Sequence, residues 1–301
     1  MKNRLYRAGT ALLALLLLFS GCAPKRATPD AKQPKIVATI FPVYDFARAV
    51  AGEENLTLLI RPGTEIHSFD PTPADILAIE ECDVFLYIGG ESEQWVRDIL
   101  DSVSMEGKTV LRLMDEVELL GEDGGDEYDE HIWTSPKNAR KMVSAIAAAC
   151  AQADSAGKDA YAANAEAYIQ KIAGIEEQIS GIVERAQSKT LVVADRFPFA
   201  YFAEEYGLTW YAAFGGCSAE TDASAGVVIS LIDVVREENL PAVFYLEMSN
   251  QNVSRIVSEQ TGAEQLLLHS CHTISADDFK NGETYVSLLQ KNADNLQKGL
   301  K

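Results

Sequence analysis

Basic residues are scarce in this sequence. Its 301 residues include 26 lysines and arginines against 45 aspartates and glutamates, which gives a formal net charge of −19. A surface with this excess of negative charge repels the phosphate backbone, so the composition argues against a nucleic-acid partner. The same excess favours the binding of cations.

Long apolar runs are also missing. The run Ala11–Phe19 is shorter than the roughly 20 residues that a membrane-spanning helix needs. Three basic residues precede it, and a small-small-cysteine sequence that ends at Cys22 follows it, as in the export signals of bacterial lipoproteins. We therefore expect residues 1–21 to be a lipoprotein signal peptide and Cys22 to carry the lipid that anchors the protein to the outer face of the cell membrane. Residues 22–34, polar and proline-containing, are predicted to be a flexible tether.

Cys-x-x-Cys pairs are absent, which argues against a structural zinc knuckle. Cys82 and Cys150 lie in or beside helix-like stretches and are predicted to be small core residues. Cys217 and Cys271 both follow predicted strands, and outside the cell they could form a disulfide. Their spacing leaves that pairing open.

Short apolar strands alternate with helical stretches along most of the remaining chain. The pattern predicts strands at Lys35–Ile40, Leu56–Ile60, Val84–Ile88 and Thr109–Leu113, and a second series that starts at Thr190–Ala194. Such an alternation predicts α/β structure with parallel sheets and helices on both faces. Between the two series, apolar residues recur every three or four positions over about 157–187, which predicts one long helix.

A proline-rich loop after the second predicted strand presents a histidine. His67 lies between a Pro-Gly turn and two further prolines, which restrict the backbone around it. The loop matches the pattern P-G-x-x-x-H-x-[FY]-x-P-[ST]-x-x-D, and two later motifs match G-x-x-x-E-x-W and D-x-H-x-W-x-x-P. The matching residues are Pro62, Gly63, His67, Phe69, Pro71, Thr72 and Asp75, then Gly89, Glu93 and Trp95, then Asp129, His131, Trp133 and Pro136.

With these motifs the chain resembles the metal-binding lipoproteins of ABC importers for zinc and manganese, the cluster A-I (cluster 9) solute-binding proteins. The resemblance implies two α/β lobes with parallel sheets, joined by one long rigid helix, with a metal site in the cleft between the lobes. It places the N-terminal lobe at 35–151, the linking helix at 152–188 and the C-terminal lobe at 189–301.

The family takes two metal ligands from each lobe. In the N-terminal lobe the resemblance implies His67 and His131. In the C-terminal lobe, Arg196 occupies the position of the third ligand, and arginine does not bind metals. The fourth position falls at His269.

A carboxylate could replace the third ligand. Glu247 is the preferred candidate, and Asp195 and Cys217 are the alternatives, since all three follow predicted strands. Arg196 could instead form an ion pair with one of these carboxylates. His272, three residues after His269, is a rival ligand or an outer group.

Three histidines and a carboxylate favour Zn²⁺ over Mn²⁺, which prefers more oxygen ligands. The resemblance implies a monomeric carrier that delivers the ion to an ABC permease and, through it, to the ATPase. A Mn²⁺-specific carrier and a surface adhesion lipoprotein are the alternatives. The sequence has no HExxH motif and no recognisable general base, so we do not expect an enzyme.

Overall fold

The computed structural model describes residues 33–64, 66, 69–121, 127–216 and 223–300. Strands β1 to β4 are Ile36–Ala38, Leu56–Leu58, Val84–Tyr87 and Thr109–Arg112, and strands β5 to β8 are Thr190–Arg196, Thr209–Phe214, Ala242–Tyr245 and Glu264–Leu267. They form two parallel sheets with the orders β2-β1-β3-β4 and β6-β5-β7-β8. The two halves thus repeat one topology, and the predicted α/β class with two parallel-sheet lobes is confirmed.

Ten α-helices flank these strands within the described residues. Those before β5 are α1 Phe41–Ala51, α2 Pro73–Glu81, α3 Trp95–Ser102, α4 Pro136–Ala153 and α5 Lys158–Arg185; those after it are α6 Ala200–Tyr206, α7 Ala225–Glu237, α8 Asn252–Thr261, α9 Ala276–Lys280 and α10 Tyr285–Gly299. None of the described helices combines the length and the apolar character that crossing a membrane requires.

The central strands send alternate side chains into two apolar layers, as the two-residue period of a strand requires. In β3, Val84 and Leu86 face the central core, whereas Phe85 packs in an outer layer against α2 and α3. Strand β5 divides its side chains in the same way in the second half. Both faces of these strands are covered, which explains why they are continuous apolar runs in the sequence.

Local signals fix the starts of several helices. Thr72 precedes α2, its side chain accepts a hydrogen bond from the Asp75 backbone nitrogen, and its own backbone nitrogen donates to the Asp75 carboxylate. Pro73 occupies the first helical turn. Ser135 caps α4 in the same manner, with Oγ 3.0 Å from the Asn138 nitrogen. The pattern did not predict α9, because this five-residue helix has no buried residue and therefore no apolar period.

The long helix α5 has 28 residues, about 42 Å at a rise of 1.5 Å per residue. Its apolar stripe is buried as its spacing predicts, at Tyr161, Ala165, Tyr168, Ile172, Ile175, Ile179 and Ile182. The helix packs against α1 and α4, which precede it in the sequence, and against α10, which follows it. Residues from both sheets join α5 in one continuous core.

A buried carboxylate ties three of these helices together. Asp45 on α1 is 1% exposed and accepts hydrogen bonds from the Tyr168 hydroxyl of α5 and from the Tyr285 backbone nitrogen at the start of α10. Arg48, one turn further along α1, pairs with the same carboxylate. A buried charge is tolerated when several donors satisfy it, so this contact fixes α1 and α10 against α5.

Candidate metal centre

A cavity opens at the carboxyl ends of the strands of both sheets. Its lining comes from the loop after β2 and from the segments that follow β5, β7 and β8, and its volume is about 370 Å³. The loop after β2 contacts the segment after β8 directly, since the Gly63 nitrogen donates to the Ile274 carbonyl at 2.8 Å. In open parallel sheets, binding sites lie beyond these strand ends.

Three donor side chains meet beside this cavity. Glu130, His131 and His272 each offer one ligand atom, and these atoms lie within 4.8 Å of one another. Glu130 and His131 are each 1% exposed, and the Nε2 atoms of His131 and His272 are shielded from solvent. We call these three residues the donor group.

His131 is held by the aspartate two residues before it. The Asp129 carboxylate accepts from the His131 backbone nitrogen at 2.7 Å and contacts ring Nδ1 at 3.0 Å. This contact assigns the proton to Nδ1 and leaves Nε2 as the ligand atom. Tyr201 of α6 donates to the Asp129 carbonyl at 2.8 Å, so a residue from the second half supports this loop.

Two glycines leave room for the donor group. A side chain at Gly90 would collide with Glu130, because its Cβ would lie 2.1 Å from Oε2. The same Oε2 accepts from the Ser92 nitrogen at 2.9 Å. Gly216, after β6, lies beside the His131 ring, where a Cβ would be 3.4 Å from Cε1. The position of the Glu130 carboxylate therefore depends on the small size of Gly90, whereas a Cβ at Gly216 would only touch the His131 ring at ordinary contact distance.

Ser270 connects the two loops that carry the histidines. Its carbonyl accepts from the Trp133 indole nitrogen at 2.8 Å, and its Oγ accepts from the His272 backbone nitrogen at 3.1 Å. Trp133 belongs to the turn after His131, and its ring lies 4.8 Å from the ring of His272. The distance between His131 and His272 is thus set by a direct contact between their loops.

Glu247 is placed against Ser270 rather than in the donor group. One carboxylate oxygen accepts from the Ser270 nitrogen at 2.8 Å, and the other accepts from the Ser270 hydroxyl. The sequence analysis expected Glu247 to be a ligand. In the structure its two oxygens hold the loop that presents His272.

His269, the other expected ligand of this lobe, also lies outside the donor group. Its ring borders a small interior pocket beside Asn292, and its Nδ1 accepts from the Cys271 nitrogen at 2.9 Å. The same Nδ1 atom lies 3.7 Å from a carboxylate oxygen of Glu247.

The turn between the two histidines sends them to different cavities. Cys271 adopts the left-handed conformation, with φ of 60°, and after this turn His272 lines the large cavity. Burial raises the pKa of the Cys271 thiol well above its usual range. A protonated thiol is a poor metal ligand.

The other predicted site residues divide into two sets. Asp195 and Arg196 line the cavity, and Asp195 Oδ1 accepts from the Arg196 backbone nitrogen at 2.9 Å. His67, Cys22 and Cys217 lie outside the described residues, so their roles as ligand, lipid attachment site and ligand candidate stay predictions. Cys271 is a free, buried thiol, so the disulfide with Cys217 that the sequence left open is not formed in this structure.

The donor group suits a cation of intermediate hardness, which binds nitrogen as well as oxygen ligands. Two imidazole nitrogens and a carboxylate oxygen are ligands that Zn²⁺ accepts, whereas Mn²⁺ favours sites richer in oxygen. Sequence reasoning missed Glu130, because it belongs to a run of acidic residues that is usually a solvated loop. It treated His272 only as a rival to His269.

Two α/β lobes that enclose a ligand cleft are the architecture of bilobed solute-binding proteins. The model of the ZnuA family, described as the periplasmic component A of a zinc-uptake complex, matches residues 36–299. The chain belongs to this family.

Individual relatives agree with this assignment. The zinc-binding lipoprotein AdcA of Streptococcus pneumoniae is 29% identical over 300 residues, which cover 95% of this chain and 59% of AdcA. The chain thus spans little more than half the length of that relative. The high-affinity zinc uptake system protein ZnuA of Bacillus subtilis is 25% identical over 309 residues, 96% of each chain.

A solved structure has the same fold. The crystal structure of the Zn(II)-bound ZnuA-like domain of Streptococcus pneumoniae AdcA superposes with a TM-score of 0.77 at 29% identity. The match covers 89% of this chain and 99% of that domain.

Proposed function

We propose that this protein captures Zn²⁺ outside the cytoplasm and delivers it to an ABC permease and, through the permease, to its ATPase. The observation that carries the proposal is the donor group, Glu130, His131 and His272, at the cleft between the two lobes. Family membership and the zinc-binding relatives support zinc as the ion and uptake as the process. An uptake component needs no catalytic step, so the proposal includes none.

The ligand set that we propose differs from the sequence expectation in the second lobe. His272 and Glu130 replace His269 and Glu247, and His131 stays. His67 remains the fourth proposed ligand on the family motif, and its described neighbours Thr64 and Ile66 line the same cavity as His272. Lipid attachment at Cys22 would hold the protein at the extracytoplasmic face of the cell membrane. We propose that it acts there as a monomer.

Two histidines of one loop provide a matched test. The full-length protein is purified in detergent, stripped with a chelator and titrated calorimetrically with Zn²⁺ and with Mn²⁺. His272→Ala is expected to weaken Zn²⁺ binding by more than about 100-fold, since even an outer hydrogen-bond partner of a ligand contributes roughly 10- to 100-fold. His269→Ala should keep the affinity within about tenfold, because the polar contacts of its ring with described residues go to Glu247 and to its own loop, and none goes to the donor group.

If His269→Ala weakened Zn²⁺ binding more than His272→Ala did, the ligand would be His269 and the proposed ligand set would be refuted. Tighter binding of Mn²⁺ than of Zn²⁺ would refute the choice of ion. A deletion strain that grows normally in zinc-poor medium, with the surface protein abundant in the parent, would favour adhesion over transport.

A further inference from the structure

The turn after strand β3 contacts Glu130 of the donor group at two points. The Ser92 nitrogen donates to Oε2 of this glutamate at 2.9 Å. Gly90 lies so close to it that a Cβ there would be 2.1 Å from the same oxygen. The position of the carboxylate therefore depends on the position of the turn, although 38 residues separate Ser92 from Glu130.

Arg112, the last residue of β4, holds this turn in place. Its Nη2 and Nε atoms both donate to the Gly89 carbonyl, at 2.9 and 3.3 Å, and its Nη1 donates to the Asp115 carboxylate at 2.9 Å. A planar guanidinium that is bound on two sides has little freedom to turn. Strand β4 lies beside β3, with Arg112 paired to Tyr87, so the contact joins the ends of two neighbouring strands.

Gly89 is fixed at both of its polar backbone atoms. Arg112 binds its carbonyl, and the buried Glu93 side chain accepts from its nitrogen at 2.7 Å. The residue has a φ of 98°, and a Cβ on it would lie 2.2 Å from Nε of Arg112. The backbone therefore lies directly against the guanidinium, an approach that requires glycine at this position.

We infer that Arg112 is a positioning residue for the metal site: it holds the Gly89–Gly90 turn, and the turn holds the Glu130 carboxylate against the ion. The inference rests on the proposed function, in which Glu130 is a ligand. It adds a residue that does not touch the ion and that determines whether the carboxylate can bind it.

The charge of Arg112 has the opposite effect on cation binding. A guanidinium repels a divalent cation, so removal of the charge alone would strengthen zinc binding. Loss of the contact with Gly89 releases the turn and should weaken zinc binding. The sign of the change therefore separates positioning from simple electrostatics.

Arg97 of α3 offers a matched control. A cavity of about 390 Å³ borders the turn and is lined by both Arg112 and Arg97. Arg97 is exposed, and the described part of the chain contains no hydrogen bond from its side chain to Gly89. Arg97→Ala thus removes the same charge from the same cavity and leaves the turn in place. Water in this cavity can reach the Gly89 carbonyl in Arg112→Ala, so that variant is expected to fold.

A double-mutant cycle tests the inference with the detergent-purified, chelator-stripped full-length protein. Calorimetric titration with Zn²⁺ compares the parent, Arg112→Ala, Glu130→Gln and the double variant. Arg112→Ala is expected to weaken Zn²⁺ binding by at least about tenfold, the effect of losing an outer contact of a ligand. The double variant should bind within about twofold of Glu130→Gln, because Arg112 acts only through that carboxylate.

The visible spectrum of the Co²⁺ form gives a second readout, which reports coordination geometry independently of affinity. Arg112→Ala should change this spectrum in the same direction as Glu130→Gln does. Arg97→Ala should keep the spectrum and an affinity within about twofold of the parent. Urea unfolding checks that each variant is folded, and Arg112→Lys, which keeps the charge and loses the paired contact, takes the place of Arg112→Ala in the cycle if the latter is not.

Four results would overturn the inference and leave the proposed function standing. They are an unchanged or tighter affinity in the Arg112 variant, additive losses in the double variant, an unchanged Co²⁺ spectrum, and equal losses in the Arg112 and Arg97 variants. Parental affinity in Glu130→Gln would instead remove Glu130 from the proposed ligand set, and the inference with it. Absence of zinc binding by the parent would overturn the proposed function itself.

Discussion

At the scale of single residues, each member of the donor group is held by a partner outside the group. Asp129 fixes the His131 ring, the Ser92 nitrogen binds Glu130, and Ser270 binds the backbone of His272. Side chains that are fixed beforehand lose little conformational entropy when an ion binds. If the donor group holds zinc as proposed, much of the affinity depends on residues that do not touch the ion.

One buried carboxylate near the donor group makes stability depend on pH. Burial, with a smaller contribution from the nearby Glu130 carboxylate, raises the pKa of Glu93 to about 7 against the opposing effect of its hydrogen bonds. Because the folded state holds this proton more tightly than the unfolded state, stability falls as the pH rises from about 4.5 to about 7. Glu93→Gln keeps an acceptor for the Gly89 nitrogen and removes the titration.

We expect Glu93→Gln in the metal-free protein to raise the free energy of unfolding at pH 8 by up to roughly 3 kcal/mol, and to change it little near pH 4.5. Urea unfolding at the two pH values measures the difference. Glu91→Gln, an exposed neighbour in the same turn, is the control and should show no such pH dependence. A constant difference between Glu93→Gln and the parent at both pH values would contradict the prediction.

At the scale of elements, the segment after β8 carries His272 and is fixed from two sides. Glu247, after β7, binds Ser270 from within the second lobe, and Trp133 binds it from the turn after His131. The segment thus joins the two lobes at the point where they share the proposed ion. The geometry of this segment depends on Glu247, because the Ser270 nitrogen would lose its acceptor without it and a buried nitrogen without an acceptor is costly.

Glu247→Ala should weaken Zn²⁺ binding by roughly 10- to 100-fold, because the loop of His272 loses its support while the donor group keeps its atoms. Titration with Zn²⁺ gives the affinity, and the visible spectrum of the Co²⁺ form reports a change in coordination geometry. Glu264→Ala, which removes an exposed carboxylate from β8, serves for comparison. A variant at Glu247 with unchanged affinity and spectrum would show that the loop does not need this support.

At the scale of the whole molecule, the two lobes share one core. Buried residues of both sheets and of α5 form a single cluster, and Asp45 bonds α1 to α5 and α10. Separate unfolding of one lobe would expose the shared side of the other. The lobes are therefore expected to unfold together.

Thermal unfolding of the metal-free protein should show a single transition with agreeing calorimetric and van't Hoff enthalpies. Under the proposed function, zinc binds the folded state and should raise the midpoint, with a stabilisation of about 2.7 kcal/mol at a free ion concentration 100 times Kd. Differential scanning calorimetry with and without chelator measures both effects. Two resolved transitions in the metal-free protein would contradict the idea of a shared core.

The sequence alone determined the architecture and part of the site. Short continuous apolar runs and the 3.6-residue stripe of α5 reflect local geometry, so strands, helices and parallel sheets followed from their alternation. Helix α5, Lys158–Arg185, begins and ends within two residues of the range 157–187 that the apolar spacing predicted. His131 was predicted from its short motif, and the structure places it in the donor group.

Only the tertiary structure decided which histidine of the second lobe lies beside His131. The sequence led us to expect His269 as the ligand and His272 as a rival or an outer group, and the left-handed turn at Cys271 separates the two. That conformation is uncommon for a residue with a side chain, so no local rule predicts it. Glu130 lies in the donor group because Gly90, 40 positions earlier in the sequence, leaves space for its carboxylate. Contacts between distant segments set both outcomes, and periodicity along the chain contains no information about them.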